Sequence, residues 1–109
     1  MHELAITESI VAAVAERMGD APIRRLKVEI GRLSGVVPDA VRFCFELAAA
    51  GTTLEGAVLE IDEPAGRMRC RSCGLEFDTD DVIALCACGG VGGEAVRGAE
   101  LRVREVEVA

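Results

Sequence analysis

The sequence has one histidine, no tryptophan, no tyrosine and only three phenylalanines among its 109 residues. With so few aromatic side chains, the core must be aliphatic, and half of the residues are hydrophobic. This length suits one domain, or one small domain that carries a smaller insertion. The lone histidine is His2, at the start of the chain, so an enzyme with a general base in a pocket is not expected.

Positive charge and long hydrophobic runs are also scarce. Twelve Lys and Arg stand against nineteen Asp and Glu, a net charge of −7 that repels phosphate backbones, so we expect no nucleic-acid partner. The first apolar stretch, residues 4–18, is interrupted by Glu8, Ser9 and Glu16 and lacks a basic segment before it. It therefore resembles neither a signal peptide nor a membrane span, and we expect a cytoplasmic protein with no membrane partner.

Hydrophobic periodicity predicts an α+β fold. Apolar residues at helical spacing predict one helix over residues 3–18, and Pro38 favours the start of a second helix that ends near Ala50. Alternating patterns predict strands at 24–30, 57–61 and 101–108. We expect two helices packed on a three-stranded mixed sheet, with a parallel crossover through the second helix. The strands at 57–61 and 101–108 are expected to pair as an antiparallel ribbon.

A cysteine-rich segment interrupts this pattern. The predicted domains are an α/β domain of residues 1–63 plus 99–109 and a metal-binding insert of residues 64–98. The insert contains two close cysteine pairs, Cys70 with Cys73 and Cys86 with Cys88. In the cytosol such pairs indicate metal ligands, and four thiolates around one point form the usual structural zinc site. So small a segment needs a metal to fold, which predicts a four-cysteine, zinc-ribbon-like subdomain.

Alternatives to the four-cysteine zinc site stay open at this point. The second pair is C-x-C and makes a tighter turn than the usual C-x-x-C knuckle. The cysteines would otherwise form a disulfide, or three of them would bind a metal whose fourth ligand is Glu94 or water. Cys44, between Phe43 and Phe45, is expected to be a small buried apolar residue.

The N-terminus, Met1-His2-Glu3, has the composition of a compact chelator. The α-amine, the imidazole of His2 and nearby backbone nitrogens can converge on one ion. A nitrogen-rich set with tetragonal or square-planar preference suits Ni(II) or Cu(II). The alternative is a solvated histidine on a frayed terminus.

Together these features resemble the HypA/HybF family of hydrogenase maturation factors, which are nickel metallochaperones. The resemblance extends over essentially the whole chain. It rests on Met1-His2-Glu3 with the following helix, residues 28–36 (VEIGRLSGV), Pro38-Asp39, residues 43–46 (FCFE), residues 56–61 (GAVLEI), the cysteine insert and residues 98–101 (GAEL).

The resemblance implies a nickel site on Met1, His2 and Glu3, and a structural zinc held by Cys70, Cys73, Cys86 and Cys88. It implies delivery of Ni(II) for maturation of NiFe hydrogenase, with a nickel-handling maturation GTPase and the hydrogenase large subunit as partners. It implies no catalytic residues. The alternative is a zinc-ribbon interaction scaffold that transfers no nickel. Two features depart from the family: the C-x-C pair, and the absence of a histidine in the zinc domain.

Overall fold

The computed structural model describes residues 2–109, so the predicted ligand Met1 lies outside the described residues. The elements in chain order are α1 (Glu3–Met18), β1 (Ile23–Ile30), α2 (Pro38–Ala49), β2 (Val58–Asp62), β3 (Arg67–Cys70), β4 (Glu76–Asp78), β5 (Gly93–Arg97) and β6 (Leu101–Val108). The predicted fold class is confirmed: two helices accompany a three-stranded mixed sheet, and a cysteine-rich insert interrupts the chain.

The main sheet has the strand order β2-β1-β6. Strands β1 and β2 are neighbours joined through α2, as the crossover prediction requires. The predicted ribbon between the strands that flank the insert is wrong, because β1 lies between β2 and β6. Leu26, Val28 and Ile30 of β1 are at most 1% exposed, as expected for a central strand with a neighbouring strand along each edge.

The residue contacts divide the chain into two compact units. The first unit contains the described residues through Val28, together with Val36–Ile61 and Arg102–Ala109, and the second contains Glu29–Gly35 and Asp62–Leu101. Residues 29–35 thus group with the insert, whereas the predicted domains assign them to the α/β part. Independent folding of 1–63 plus 99–109 and of 64–98 stays a prediction.

The core of the first unit forms where α1 packs on α2. Helix α1 buries Val11 and Val14, and α2 buries Val41, Phe45 and Ala49, with one residue per turn in each case. Pro38 occupies the first turn of α2, where its missing N–H costs no helical hydrogen bond.

The core of the second unit is much smaller. Leu33, Met68 and Ala84 are buried together, with Phe77 packed partly against them. They support an antiparallel sheet of order β4-β3-β5. Within residues 2–109, no helix is long and apolar enough to cross a membrane.

Backbone contact holds residues 29–35 within the second unit. The N–H of Leu33 donates to the carbonyl oxygen of Gly98 over 2.7 Å, and that of Gly31 donates to Glu100 over 2.9 Å. A Cβ atom on Gly31 would lie 2.1 Å from the Gly98 oxygen, so a side chain has no room there. Glycine at position 31 is therefore a requirement of this close approach.

Candidate metal centres

The N-terminal site begins where α1 begins. His2 is exposed and occupies the N-cap position, and its carbonyl oxygen accepts the N–H of Ile6 over 2.9 Å. The first helical hydrogen bond thus fixes the backbone of His2 while its imidazole faces solvent. An exposed imidazole on a fixed backbone is open to a metal ion.

Glu3 has a different environment from His2, although it is the next residue. It is only 6% exposed, and one carboxylate oxygen accepts the backbone N–H of Val37 over 3.1 Å. Its carbonyl oxygen accepts the Thr7 hydroxyl over 2.6 Å. The Glu3 side chain therefore anchors the start of α1 to the residue that precedes α2. The sequence analysis missed this anchor, and the signal for it was the helical spacing of Glu3, Thr7 and Val11.

The four predicted zinc ligands converge on one point. Every pair of sulfur atoms from Cys70, Cys73, Cys86 and Cys88 lies within 4.8 Å. The sulfurs of Cys70 and Cys88 are 3.7 Å apart, and those of Cys73 and Cys86 are 3.6 Å apart. Tetrahedral bonds of about 2.3 Å from Zn²⁺ to sulfur separate the sulfurs by ~3.8 Å. The described residues therefore include a four-cysteine group with the dimensions of a tetrahedral zinc site.

The C-x-C pair reaches this group through a glycine turn. The N–H of Cys86 donates to the carbonyl oxygen of Gly90, and the N–H of Gly90 donates to the Cys88 sulfur over 3.3 Å. Gly89, at φ +90°, supplies the left-handed conformation that the turn needs. A Cβ on Gly90 would lie 3.2 Å from the Cys70 sulfur. Consecutive glycines thus compensate for the residue that the second pair lacks.

The two alternatives to four cysteines have no support in this geometry. All the cysteines are free thiols, and sulfurs about 3.6 Å apart exceed the ~2 Å of a disulfide. Glu94 is not a member of the four-cysteine group, and it lies opposite Arg69 in the β3–β5 pairing. Cys44 is half-buried in α2, far from the group in sequence.

Ionisation of the cysteines is uneven. A backbone hydrogen bond from Cys73 lowers the pKa of the Cys70 thiol to about 6. Although a backbone hydrogen bond from Leu75 opposes the shift, neighbouring Cys86 and Cys88 raise the pKa of Cys73 to about 12. The protein alone stabilises one thiolate but not several close together. A divalent cation would supply the charge that four thiolates require.

A side-chain latch holds residues 29–35 beside the insert in the second unit. Arg32 donates to Asp80 over 2.9 Å and to the carbonyl oxygen of Glu63 over 3.2 Å. The second Asp80 oxygen accepts the N–H of Gly66 over 3.3 Å. The Arg32 guanidinium, and then the Gly66 N–H, lower the pKa of the Asp80 carboxyl. Sequence patterns did not reveal this pair, because its members are 48 positions apart.

Comparison with known proteins gives one consistent result. The family model "HypA: Hydrogenase/urease nickel incorporation, metallochaperone, hypA" matches residues 1–108. The chain is 48% identical over 109 residues to hydrogenase maturation factor HypA of Geobacter metallireducens, covering 99% of both chains. It is 47% identical over 108 residues to that of Nostoc sp., covering 99% of this chain and 96% of the relative.

A solved structure shares the fold. The solution structure of the Ni metallochaperone HypA from Helicobacter pylori superposes with a TM-score of 0.69 at 23% identity. The match covers 99% of this chain and 97% of that one.

Proposed function

This chain belongs to the HypA family of hydrogenase and urease nickel-incorporation metallochaperones, and we propose that it binds Ni(II) at its N-terminus and delivers the ion for maturation of an NiFe hydrogenase. The observation that carries the proposal is the exposed imidazole of His2 on a backbone that is fixed by the start of α1. Nickel in this scheme is cargo, so the site must both bind and release it.

The proposed nickel donors are the α-amine of Met1, the imidazole of His2 and the backbone nitrogen of Glu3. One Glu3 carboxylate oxygen accepts the Val37 N–H, so we assign the backbone nitrogen of residue 3, rather than its side chain, to the ion. Amine, amide and imidazole nitrogens suit the tetragonal preference of Ni(II). The buried Glu3 side chain keeps the start of α1 in place.

The proposed resident metal is zinc, held by Cys70, Cys73, Cys86 and Cys88. The sulfur separations fit its tetrahedral bonds, and four protein ligands leave no open position for a substrate. The metal is therefore structural, and we propose that the protein acts as a metallochaperone rather than as an enzyme. Thiolates favour zinc at this centre, whereas nitrogen donors favour nickel at the other, so the two ions occupy different sites.

The proposed partners are a nickel-handling maturation GTPase, which supplies or receives the ion, and the large subunit of the hydrogenase. We place both encounters in the cytoplasm. The relatives' designation as hydrogenase maturation factors supports this assignment.

Nickel titration of the full chain with its native N-terminus tests the proposal. We expect one equivalent of tightly bound nickel, and we expect His2→Ala to abolish it while the fold is kept. An extension before Met1 should weaken binding, because it removes the α-amine donor. Glu8→Ala, an exposed change on the same helix, is the matched control and should bind as the unmodified chain does.

The outcomes separate the proposal from its alternative. Nickel binding that is unchanged in His2→Ala would favour a zinc-ribbon scaffold with an incidental N-terminal histidine. Equal nickel affinity in the extended and native forms would show that the α-amine is not a ligand, and would leave the assignment of His2 unchanged. Affinity should fall as the pH is lowered from about 8 to about 6, because protons compete for nitrogen donors.

A further inference from the structure

The start of α1 lacks the side-chain cap that commonly stabilises a helix. His2 occupies the N-cap position, yet its side chain makes no capping hydrogen bond. The first N–H groups of a helix have no partner within the helix, and a Ser, Thr, Asp or Asn side chain at the N-cap usually accepts one of them. Helix ends without such support fray. The imidazole of His2 is thus left open to an ion, but the backbone that carries it needs support from elsewhere.

Two buried polar residues lie on the inner face of the same helix end. Within residues 2–109, Glu3 and Thr7 are the only buried polar or charged residues, at 6% and 1% exposure. They begin the buried stripe of α1 that Val11 and Val14 continue. Such a stripe is normally apolar, because a buried polar group lowers stability unless it is hydrogen-bonded. The departure from the apolar pattern is therefore confined to the end of α1 that carries His2.

Both buried residues hold the backbone that carries the proposed nickel donors. The Thr7 hydroxyl donates to the carbonyl oxygen of Glu3 over 2.6 Å, and the Glu3 carboxylate accepts the N–H of Val37 over 3.1 Å. The carbonyl oxygen of His2 accepts the N–H of Ile6 over 2.9 Å. Residue 3, whose backbone nitrogen is a proposed donor, is therefore fixed through the peptide group before it and through the one after it.

The Thr7 hydroxyl adds little to the stability of the helix. Threonine has a lower helix propensity than alanine or leucine, and a hydroxyl that bonds the carbonyl four residues earlier slightly destabilises a helix. Valine has nearly the same shape and would bury a methyl group in place of the hydroxyl. Stability alone therefore favours an apolar residue at position 7, and the hydroxyl is better explained by the backbone that it holds.

We propose that Thr7 is a positioning residue for nickel: its hydroxyl, together with the Glu3 anchor, holds the uncapped start of α1 in the conformation that binds the ion. This inference rests on the proposed N-terminal nickel site. Donors that are already ordered bind an ion more tightly, because less backbone freedom is lost on binding. Thr7 thus acts through residue 3 rather than as a ligand.

Two substitutions at position 7 separate positioning from stability. Thr7→Val removes the hydroxyl and keeps the shape, so nickel affinity should fall by about 2- to 12-fold while the denaturation midpoint stays the same or rises. Thr7→Ser keeps the hydroxyl and loses a methyl group, so it should bind nickel like the unmodified chain although its midpoint falls. A purely structural residue would give the same order of variants in both measurements.

The titrations use the full chain with its native N-terminus and Ni(II) alone, followed by the ligand-field absorption of the bound ion. At saturation the absorption of Thr7→Val should match that of the unmodified chain, because the donors are the same. Thr7→Ala, which lacks the hydroxyl but favours a helix, should also weaken nickel binding. Thr53→Val is the matched control: the Thr53 hydroxyl is buried without a hydrogen-bond partner in the described part of the chain, so nickel affinity should not change.

The outcomes distinguish this inference from the proposed function. Equal nickel affinity in Thr7→Val and the unmodified chain would overturn the inference and leave the nickel site in place. Thr7→Ser that binds as weakly as Thr7→Val would also overturn it, because packing rather than the hydroxyl would then matter. No nickel binding by the unmodified chain would overturn the proposed function, and this inference with it.

Discussion

Removing the proposed zinc from the four-cysteine centre should unfold the second unit and leave the first one intact. Apart from Ile30 and two of the cysteines, the second unit buries only Leu33, Met68 and Ala84 with part of Phe77, which is little apolar surface for forty-seven residues. Structural zinc contributes about 10–16 kcal/mol in small zinc domains. Truncating Met68 to alanine, in contrast, costs about 2–5 kcal/mol. Zinc at this centre is thus expected to be the larger stabilising contribution.

Hydrogen exchange with and without a zinc chelator measures this difference. After chelation, amides of β3, β4 and β5 should lose nearly all protection, while those of α1, α2 and β1 as far as Val28 keep theirs. Cys73→Ser should give the same pattern. Met68→Ala with zinc bound should lower protection in the second unit by about 30- to 5,000-fold without abolishing it.

Two results would refute this reasoning. Uniform loss of protection over both units would show that they fold as one. Unchanged protection of β3 after chelation would show that the apolar core suffices without metal. The first result would also contradict the predicted independence of residues 1–63 plus 99–109 from residues 64–98.

Substitutions at four further positions test the packing, the latch and the Glu3 anchor. Leu26→Ala should destabilise the protein by about 2–5 kcal/mol in denaturant unfolding, whereas Phe43→Ala should change stability by less than about 0.5 kcal/mol, because Leu26 is fully buried and Phe43 is 77% exposed. Asp80, whose pKa is lowered in the folded state by Arg32, stabilises that state when ionised. This stabilisation is present above the unfolded pKa of about 4 and is lost as the pH falls through the lower folded pKa. The melting temperature of Asp80→Asn should therefore fall less on acidification than that of the unmodified chain. Glu3→Gln should have a melting temperature closer to that of the unmodified chain than Glu3→Ala has, since the amide oxygen can still accept the N–H of residue 37. Equal melting temperatures of the two variants would argue against the anchor.

The sequence predicted the elements whose residues interact locally. The first helix was predicted over its observed span, and the predicted end of the second lies one residue beyond Ala49. Both helices could be predicted because each buries one residue per turn. Strand β1 was equally clear, since Leu26, Val28 and Ile30 alternate with polar residues. The four cysteines were identified from spacing alone, because a tetrahedral site restricts the distance between paired ligands.

The missed features depend on residues far apart in sequence. Strand order was wrong for β6, because pairing depends on which strand the whole core covers rather than on chain proximity. The strands of the insert, β3 to β5, had no clear periodicity, since turns and cysteines rather than a buried face define them. Glu3 was interpreted only as a metal ligand, because a carboxylate near a terminus is usually solvated and Val37 is 34 positions away.

The contact between Gly31 and Gly98 determines which part of this protein can be transplanted. A chimera that exchanges only the continuous segment 62–101 with a relative would bring a foreign surface against residues 29–35. The residue of the relative that replaces Gly98 would then lie in van der Waals contact with the backbone of Gly31, to which it is not adapted. The exchangeable module is therefore discontinuous, and residues 62–101 must be exchanged together with residues 29–35.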